Sequence, residues 1–234
     1  MRPVGEAPGT LHADEDALAT TVDVIVFDED TLREERLEDL DTLPSLAQGG
    51  PVLWVDVNGF GDLDVVRQIG EHFGLHPLSL EDAVHLNQRP KVDEFPDYLM
   101  LILQSPQSLG SGDFEQISIV LTEQAVITFQ SSTVNRFEPV LARLRTAGSR
   151  IRSQRADYLA YALLDVAVDA YFPWLEELDG ELERIEEQIL RAANRTDTRG
   201  VYRLKRELGA TRRHMFGIRE ATTANRPGCF RAMY

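Results

Sequence analysis

Two adjacent carboxylates, Glu81 and Asp82, are the side chains of this sequence best placed for chemistry. They follow His76-Pro77-Leu78-Ser79-Leu80, in which Pro77 can open a short amphipathic helix over Leu78 to Val84. Neighbouring side chains on a helix diverge by about 100°, so the pair cannot easily close on one ion. Hard-cation binding would need a third carboxylate from elsewhere, because Mg²⁺ keeps most of its waters and takes few protein oxygens. An exposed acidic pair on a helix surface is the plain alternative. Asp165 and Asp169 lie one turn apart and can share an acidic helix face.

Other chemistries find little support. His72 and His76 have i,i+4 spacing, but Gly74 and Pro77 interrupt a helix there, and Glu71-His72 is not the zinc-protease order. His12, His85 and His214 have no partner by spacing. Gly59-x-Gly61 followed by Asp64 fails the dinucleotide fingerprint, and neither a phosphate-binding loop nor a Gly-x-Ser-x-Gly elbow occurs. No nucleophile has a base beside it. The chain is therefore expected not to be an enzyme. Cys229 is the single cysteine, which excludes an internal disulfide and a multi-cysteine zinc site.

The elements that must position the carboxylates follow from periodicity. Thr21–Phe27, Val52–Val57, Tyr98–Gln104, Phe114–Leu121 and Ala125–Phe129 read as strands, the last two joined by a short hairpin turn at 122–124. Asp30 is expected to cap a helix through Leu40, and Leu63–Phe73 reads as a helix ended by Gly74. A rigid Gln88-Arg89-Pro90-Lys91 turn leads on to the strand at Tyr98. Strand signals stop near Arg136. A helix over Phe137–Leu144 is expected next, then a long one over Ala156–Ala193 that Pro173 should kink. In it Leu175, Leu178, Leu182, Ile185 and Ile189 recur at alternating threes and fours. A final helix, capped by Asp197, carries Val201, Leu204, Leu208, Thr211, Met215 and Ile218. These signals predict an α/β fold, a mixed sheet sandwiched between helices, followed by a long antiparallel helical pair. The expected division is a disordered lead over 1–20, a sandwich domain over 21–145 and a long-helix region over 146–234, irregular after 222.

Charge narrows the partners. The net charge is −15, with thirteen acids against three arginines in residues 1–50. That field disfavours nucleic acid. The C-terminal segment 191–234 reverses the balance, with eleven basic residues against three acids. Seven acids between Glu176 and Glu187 face it on the preceding helix, so pairing of the two flanks explains the basic stretch. No apolar run reaches the roughly 18 residues of a membrane-spanning helix, and no signal segment opens the chain, which reads as a cytoplasmic, unsecreted protein.

The block His76–Asp82, with Gln88-Arg89-Pro90-Lys91-Val92-Asp93 and the strand after it, resembles the cytoplasmic domain of the CorA-type magnesium and cobalt transporters. The resemblance extends over roughly residues 50–220. It takes in Trp54-Val55-Asp56-Val57 and Gly59, Gly70–Pro77, Arg155-Ala156-Asp157-Tyr158-Leu159, Leu163-Leu164-Asp165 and Leu204-Lys205-Arg206. It implies a divalent-cation-sensing domain with Glu81, Asp82 and Asp165 as regulatory ligands at an interface between subunits, to which Asp169 would be an additional acid by its spacing from Asp165. Mg²⁺ or Co²⁺ would bind weakly, with none held tightly. The full-length family forms homo-pentamers through stalk and membrane helices. This chain has neither the Gly-Met-Asn signature nor a counterpart of the stalk aspartate, so it is expected to be monomeric or weakly associated and unable to transport alone. A stand-alone metal-binding regulatory paralogue and the cytoplasmic domain of a zinc-transporting relative remain alternatives on the same fold. A shortened chain, a frameshifted product and a paralogue all fit the ending Asn225–Phe230.

Overall fold

A computed structural model describes residues 9–12, 16–46, 50–86, 88–107, 114–132, 134–191 and 198–223. Seven strands form one sheet in the order β2-β1-β3-β7-β6-β5-β4. They are β1 (Thr21–Phe27), β2 (Leu32–Leu37), β3 (Val52–Asn58), β4 (Lys91–Glu94), β5 (Leu99–Pro106), β6 (Phe114–Leu121) and β7 (Ala125–Gln130). Every neighbouring pair is antiparallel except β3–β7, which is parallel. The helices are α1 (Leu43–Leu46), α2 (Leu63–His72), α3 (Pro77–Val84), α4 (Glu138–Arg145), α5 (Ala156–Asp169), α6 (Tyr171–Arg191) and α7 (Thr198–Thr223).

The central strands are apolar on both sides, and alternation divides their side chains between two cores. Trp54, Leu99, Leu101, Leu103, Ile117 and Ile119 pack under α4 and α5. Leu53, Val55, Val57, Met100, Ile102 and Ile127 pack under α2 and α3. Trp54 is fully buried, edge-on to Phe137 with ring centres 5.9 Å apart, and its Nε1 donates to Thr128 Oγ1 at 2.9 Å.

Three expectations need correction. The helix expected from Asp30 to Leu40 is instead strand β2. Asp28 Oδ1 accepts from the N–H groups of Asp30 (2.9 Å) and Thr31 (2.6 Å), closing a side-chain turn that reverses β1 into β2. Arg36 then clamps Asp23 across the hairpin with two bonds of 2.8 Å. The leucines at near-helical spacing were coincidental, and the charged Arg33-Glu34-Glu35-Arg36 run suits an edge strand that must not pair further. Strand β4 escaped notice because it has only four residues, none of them buried.

The helix expected to run unbroken from 156 to 193 is two helices. The break falls at Ala170, three residues before Pro173, because a proline ring clashes with the carbonyl four residues back, here that of Asp169. Pro173 itself sits in the first turn of α6, where its missing N–H is not needed. This break lets α5 lie on the sheet while α6 leaves it. Trp174 Nε1 donates to Thr211 Oγ1 (3.0 Å) and Arg203 to Glu181 (2.5 Å), so rising numbers on α6 meet falling numbers on α7. The hairpin is antiparallel, and the Arg203–Glu181 contact sets a basic flank against an acidic one as expected. The heptad seam is only half used. Leu178, Ile185 and Leu204 are buried, whereas Leu175, Leu182, Ile189, Val201, Leu208 and Met215 stay substantially exposed.

The disordered lead does not describe residues 9–12 and 16–20. Leu11 is buried in the α2–α3 core, and Gly61 N–H donates to Leu18 O at 2.8 Å. A Cβ at Gly59, whose φ is +78°, would stand 2.4 Å from Ala19 O, so the Gly59-x-Gly61 pair makes room for this segment. Asp197, the proposed cap of the last helix, and the segment 224–234 with Cys229 lie outside the described residues.

Phe137→Ala should destabilise the fold by about 3–5 kcal/mol, the usual result of emptying a fully buried aromatic site. Urea unfolding followed by Trp fluorescence measures it, and a loss below about 1 kcal/mol would contradict this packing.

Candidate functional site

Helix α3 presents the acidic pair, and much of the motif around it serves to hold that helix. His76 Nδ1 accepts from Leu78 N–H at 3.2 Å, capping the first turn ahead of Pro77. His76 N–H donates to Tyr98 Oη (3.0 Å), which also meets Ser79 Oγ at 2.7 Å. His76, Phe95 and Tyr98 form a ring stack. Leu80 abuts Gly70, where a Cβ would fall 2.3 Å from a Leu80 methyl, so α2 and α3 touch backbone to side chain.

The far end of α3 is held from the sheet. Gln116 Nε2 donates to the carbonyls of Asp82 (2.8 Å) and Ala83 (3.3 Å), two of the oxygens a helix end leaves without partners. Gln116 Oε1 accepts from Gln88 N–H at 2.9 Å, and Gln104 Nε2 donates to Gln88 O at 2.9 Å. Two buried glutamines, opposite one another on β5 and β6, thus tie α3 and the 88–90 turn to one point of the sheet. Sequence reading missed them, although two amides inside apolar strands are a signal that something polar must dock there.

The carboxylates have partners within the chain. Asp82 Oδ2 accepts from Lys91 Nζ at 2.7 Å, and Lys91 also reaches Asp93 at 2.5 Å. Burial pulls the Lys91 ammonium down, but its bonds to Asp82 and Asp93 outweigh this and hold its pKa above the ordinary lysine value. Glu81 Oε2 accepts from Gly9 N–H at 2.6 Å. Asp165 is half-buried on α5 and Asp169 exposed at its end. The structure does not bring these acids together. Helix α3 packs on one face of the sheet and α5 on the other, and among the described residues no group of three metal-binding side chains forms.

A second polar centre was not foreseen. Asp56 accepts from Thr128 Oγ1 (2.5 Å), Asn58 Nδ2 (2.9 Å) and Gln130 Nε2 (3.1 Å) at the floor of a cleft of about 450 Å³. Desolvation raises its pKa above the usual aspartate value, against those three bonds, and the Asp23 charge adds to the rise. On the same face of the sheet, Glu115 of β6 is buried and paired with Arg136 at 2.8 Å.

The fold is an α/β sandwich followed by an antiparallel helical hairpin, with the sheet standing between the carboxylates of α3 and those of α5. Residues 50–226 match the family of CorA-like Mg²⁺ transporter proteins, and the chain belongs to that family. It is 33% identical over 224 residues to the cobalt/magnesium transport protein CorA of Thermotoga maritima, covering 94% of this chain and 64% of that protein. The magnesium transporter ALR1 of Saccharomyces cerevisiae is 30% identical over 156 residues, 64% of this chain and 18% of that one. The chain thus spans less than two thirds of the length of these relatives. The soluble domain of CorA from Methanocaldococcus jannaschii shares the fold, with a TM-score of 0.66 and 17% identity over 87% of this chain and 77% of that one. Among the described residues no helix is long and apolar enough to cross a membrane.

An aspartate whose pKa is raised on folding takes up a proton as the chain folds. Its contribution is favourable below the ordinary carboxylate pKa and is lost as pH rises through the raised value. Asp56→Asn should therefore flatten the fall in stability as pH rises above the ordinary carboxylate range. Thermal melts of both forms over that rise in pH test this, and parallel profiles would contradict it.

Proposed function

We propose that this chain is the cytoplasmic, divalent-cation-sensing part of a CorA-like Mg²⁺ or Co²⁺ transporter, working at the inner face of the cell membrane as a homo-oligomer. Glu81 and Asp82 on α3 of one copy and Asp165 on α5 of another, with Asp169 a turn beyond, supply the carboxylates of a regulatory site. The observation that carries this reading is the position of α3 and α5 on opposite faces of one sheet. A chain built that way can hold the acids as a set only when two copies meet side by side. Within one copy the donors do not fit a divalent ion, since Asp82 already has Lys91 as its counter-charge.

The chemistry follows from charge. Carboxylates gathered across an interface repel one another until a cation bridges them, so the ion favours the assembled state over the separated one. The net charge of −15 opposes assembly in its absence. Few protein oxygens reach the ion, so it keeps most of its water and binds weakly, as a sensor of bulk Mg²⁺ requires. Lys91 acts as an internal competitor, neutralising Asp82 when the ion is absent. Movement of ions across the membrane is assigned to parts of the transporter other than this domain.

Sedimentation velocity with rising Mg²⁺ or Co²⁺ is expected to show a monomer that associates at millimolar ion. Asp82→Asn and Asp165→Asn should each abolish that shift while leaving the fold intact. A tight oligomer without divalent ions, or an ion response untouched by both substitutions, would place the site elsewhere. Lys91→Gln removes the competing ammonium, and titration calorimetry should then give several-fold tighter Mg²⁺ binding.

A further inference from the structure

We propose that the cleft between the 88–90 turn and α7 is a binding site for a soluble polyphosphate of about the size of a nucleoside triphosphate. The proposal does not depend on the carboxylates of α3 and α5. The cleft has a volume of about 710 Å³, and Arg89, Arg212 and Arg213 line it together with Gln88, His214 and Phe216. That volume exceeds a single phosphate several-fold and lies within the range of about 300–1,000 Å³ usual for small-molecule sites.

Three arginines converging on one cleft stand out in a chain with 39 acids against 24 basic residues. Several arginines elsewhere find carboxylates: Arg36 meets Asp23, Arg136 meets Glu115, Arg145 meets Glu34 and Glu138, and Arg203 meets Glu181. Among the described residues no ion pair is formed by Arg89, Arg212 or Arg213. His214 beside them is made less basic, by burial first and by the Arg213 charge second.

The walls are fixed. A Cβ on Gly217 would come within 2.9 Å of Pro90, so helix and turn are in contact and hold the opening. Arg213 folds back over Gly209, whose absent Cβ would lie 3.6 Å from its Nη1. The Arg212 guanidinium rests 5.5 Å from the Phe216 ring centre, and that of Arg219 rests 5.0 Å from it. Stacking on an aromatic ring orders a guanidinium before any ligand arrives, so less freedom is lost when it binds. Guanidinium groups bind phosphate oxygens bidentately, and three of them match a chain of phosphates better than one.

Titration calorimetry in chelating-resin-treated buffer, with tripolyphosphate, ATP and orthophosphate as probes, tests the site. Tripolyphosphate and ATP should bind at least about tenfold tighter than orthophosphate and weaken with added salt. Arg212→Gln with Arg213→Gln should weaken tripolyphosphate by about tenfold or more, and Arg89→Gln on the opposite wall should weaken it independently. Lys205→Gln, an exposed cation of α7 outside the cleft, should change nothing, and circular dichroism verifies that each variant is folded. Equal losses from Lys205→Gln, no preference over orthophosphate, or capture only by phosphatidylglycerol vesicles would each overturn the proposal.

Discussion

The structure depends on a sheet whose central strands are apolar on both sides. Such strands cannot leave either face to water, so the chain must cover both, and it does so with different helices. Helices α1 to α3 come from the first half of the sequence and seal one side, while α4 and α5 come from the second half and seal the other. The two layers never meet. Every question about the acidic residues follows from that separation, because α3 carries one pair and α5 the next. A site that looks assembled when the motifs are read in a line is divided by a layer of strands.

Polar groups inside the sheet decide where the covering helices stop. Gln104 and Gln116 give no apolar contact, and leaving their amides unpaired would cost about 1–3 kcal/mol each. They find partners in the end of α3 and in the 88–90 turn, which fixes both. Glu115 fixes the other side through Arg136, which also donates to Ser105 Oγ at 3.0 Å. Tyr171 Oη donates to Gln104 O at 2.5 Å where α6 begins, so the same residue anchors the root of the hairpin. Orientation of the hairpin and placement of α3 are thereby linked through β5.

Charge is distributed with the same economy. The edge strand β2 is shielded by ion pairs to β1 and α4, notably Arg145 with Glu34. The hairpin pairs acids of α6 with bases of α7, but its apolar seam is covered on one side only. The basic end of α7 returns to the sheet beside Pro90, where the arginines outnumber the acids that reach them. An acidic protein thus keeps a region of opposite sign there, held by a proline, two glycines and an aromatic ring.

Much of this was legible in the sequence. Strands β1, β3, β5, β6 and β7 stand where Val, Ile and Leu alternate or cluster, because burial on a pleated surface writes itself directly into residue type. Helices α2, α3 and α7 follow from spacing and from caps such as Pro77. The family could be read from His76–Asp82 and Gln88–Lys91. What the sequence could not show was anything set by a partner far away in the chain. Strand β2 exists because β1 lies beside it and Asp28 turns the chain, and its own leucines suggest a helix equally well. Pro173 was legible as a kink in one long helix, but its division into two at Ala170 came from the clash with the Asp169 carbonyl. Lys91 neutralising Asp82, the glutamines gripping α3, and the sheet standing between Asp82 and Asp165 are all contacts across the fold. Residue type determines what a side chain can bind, but only tertiary packing decides which side chains are close enough to bind together.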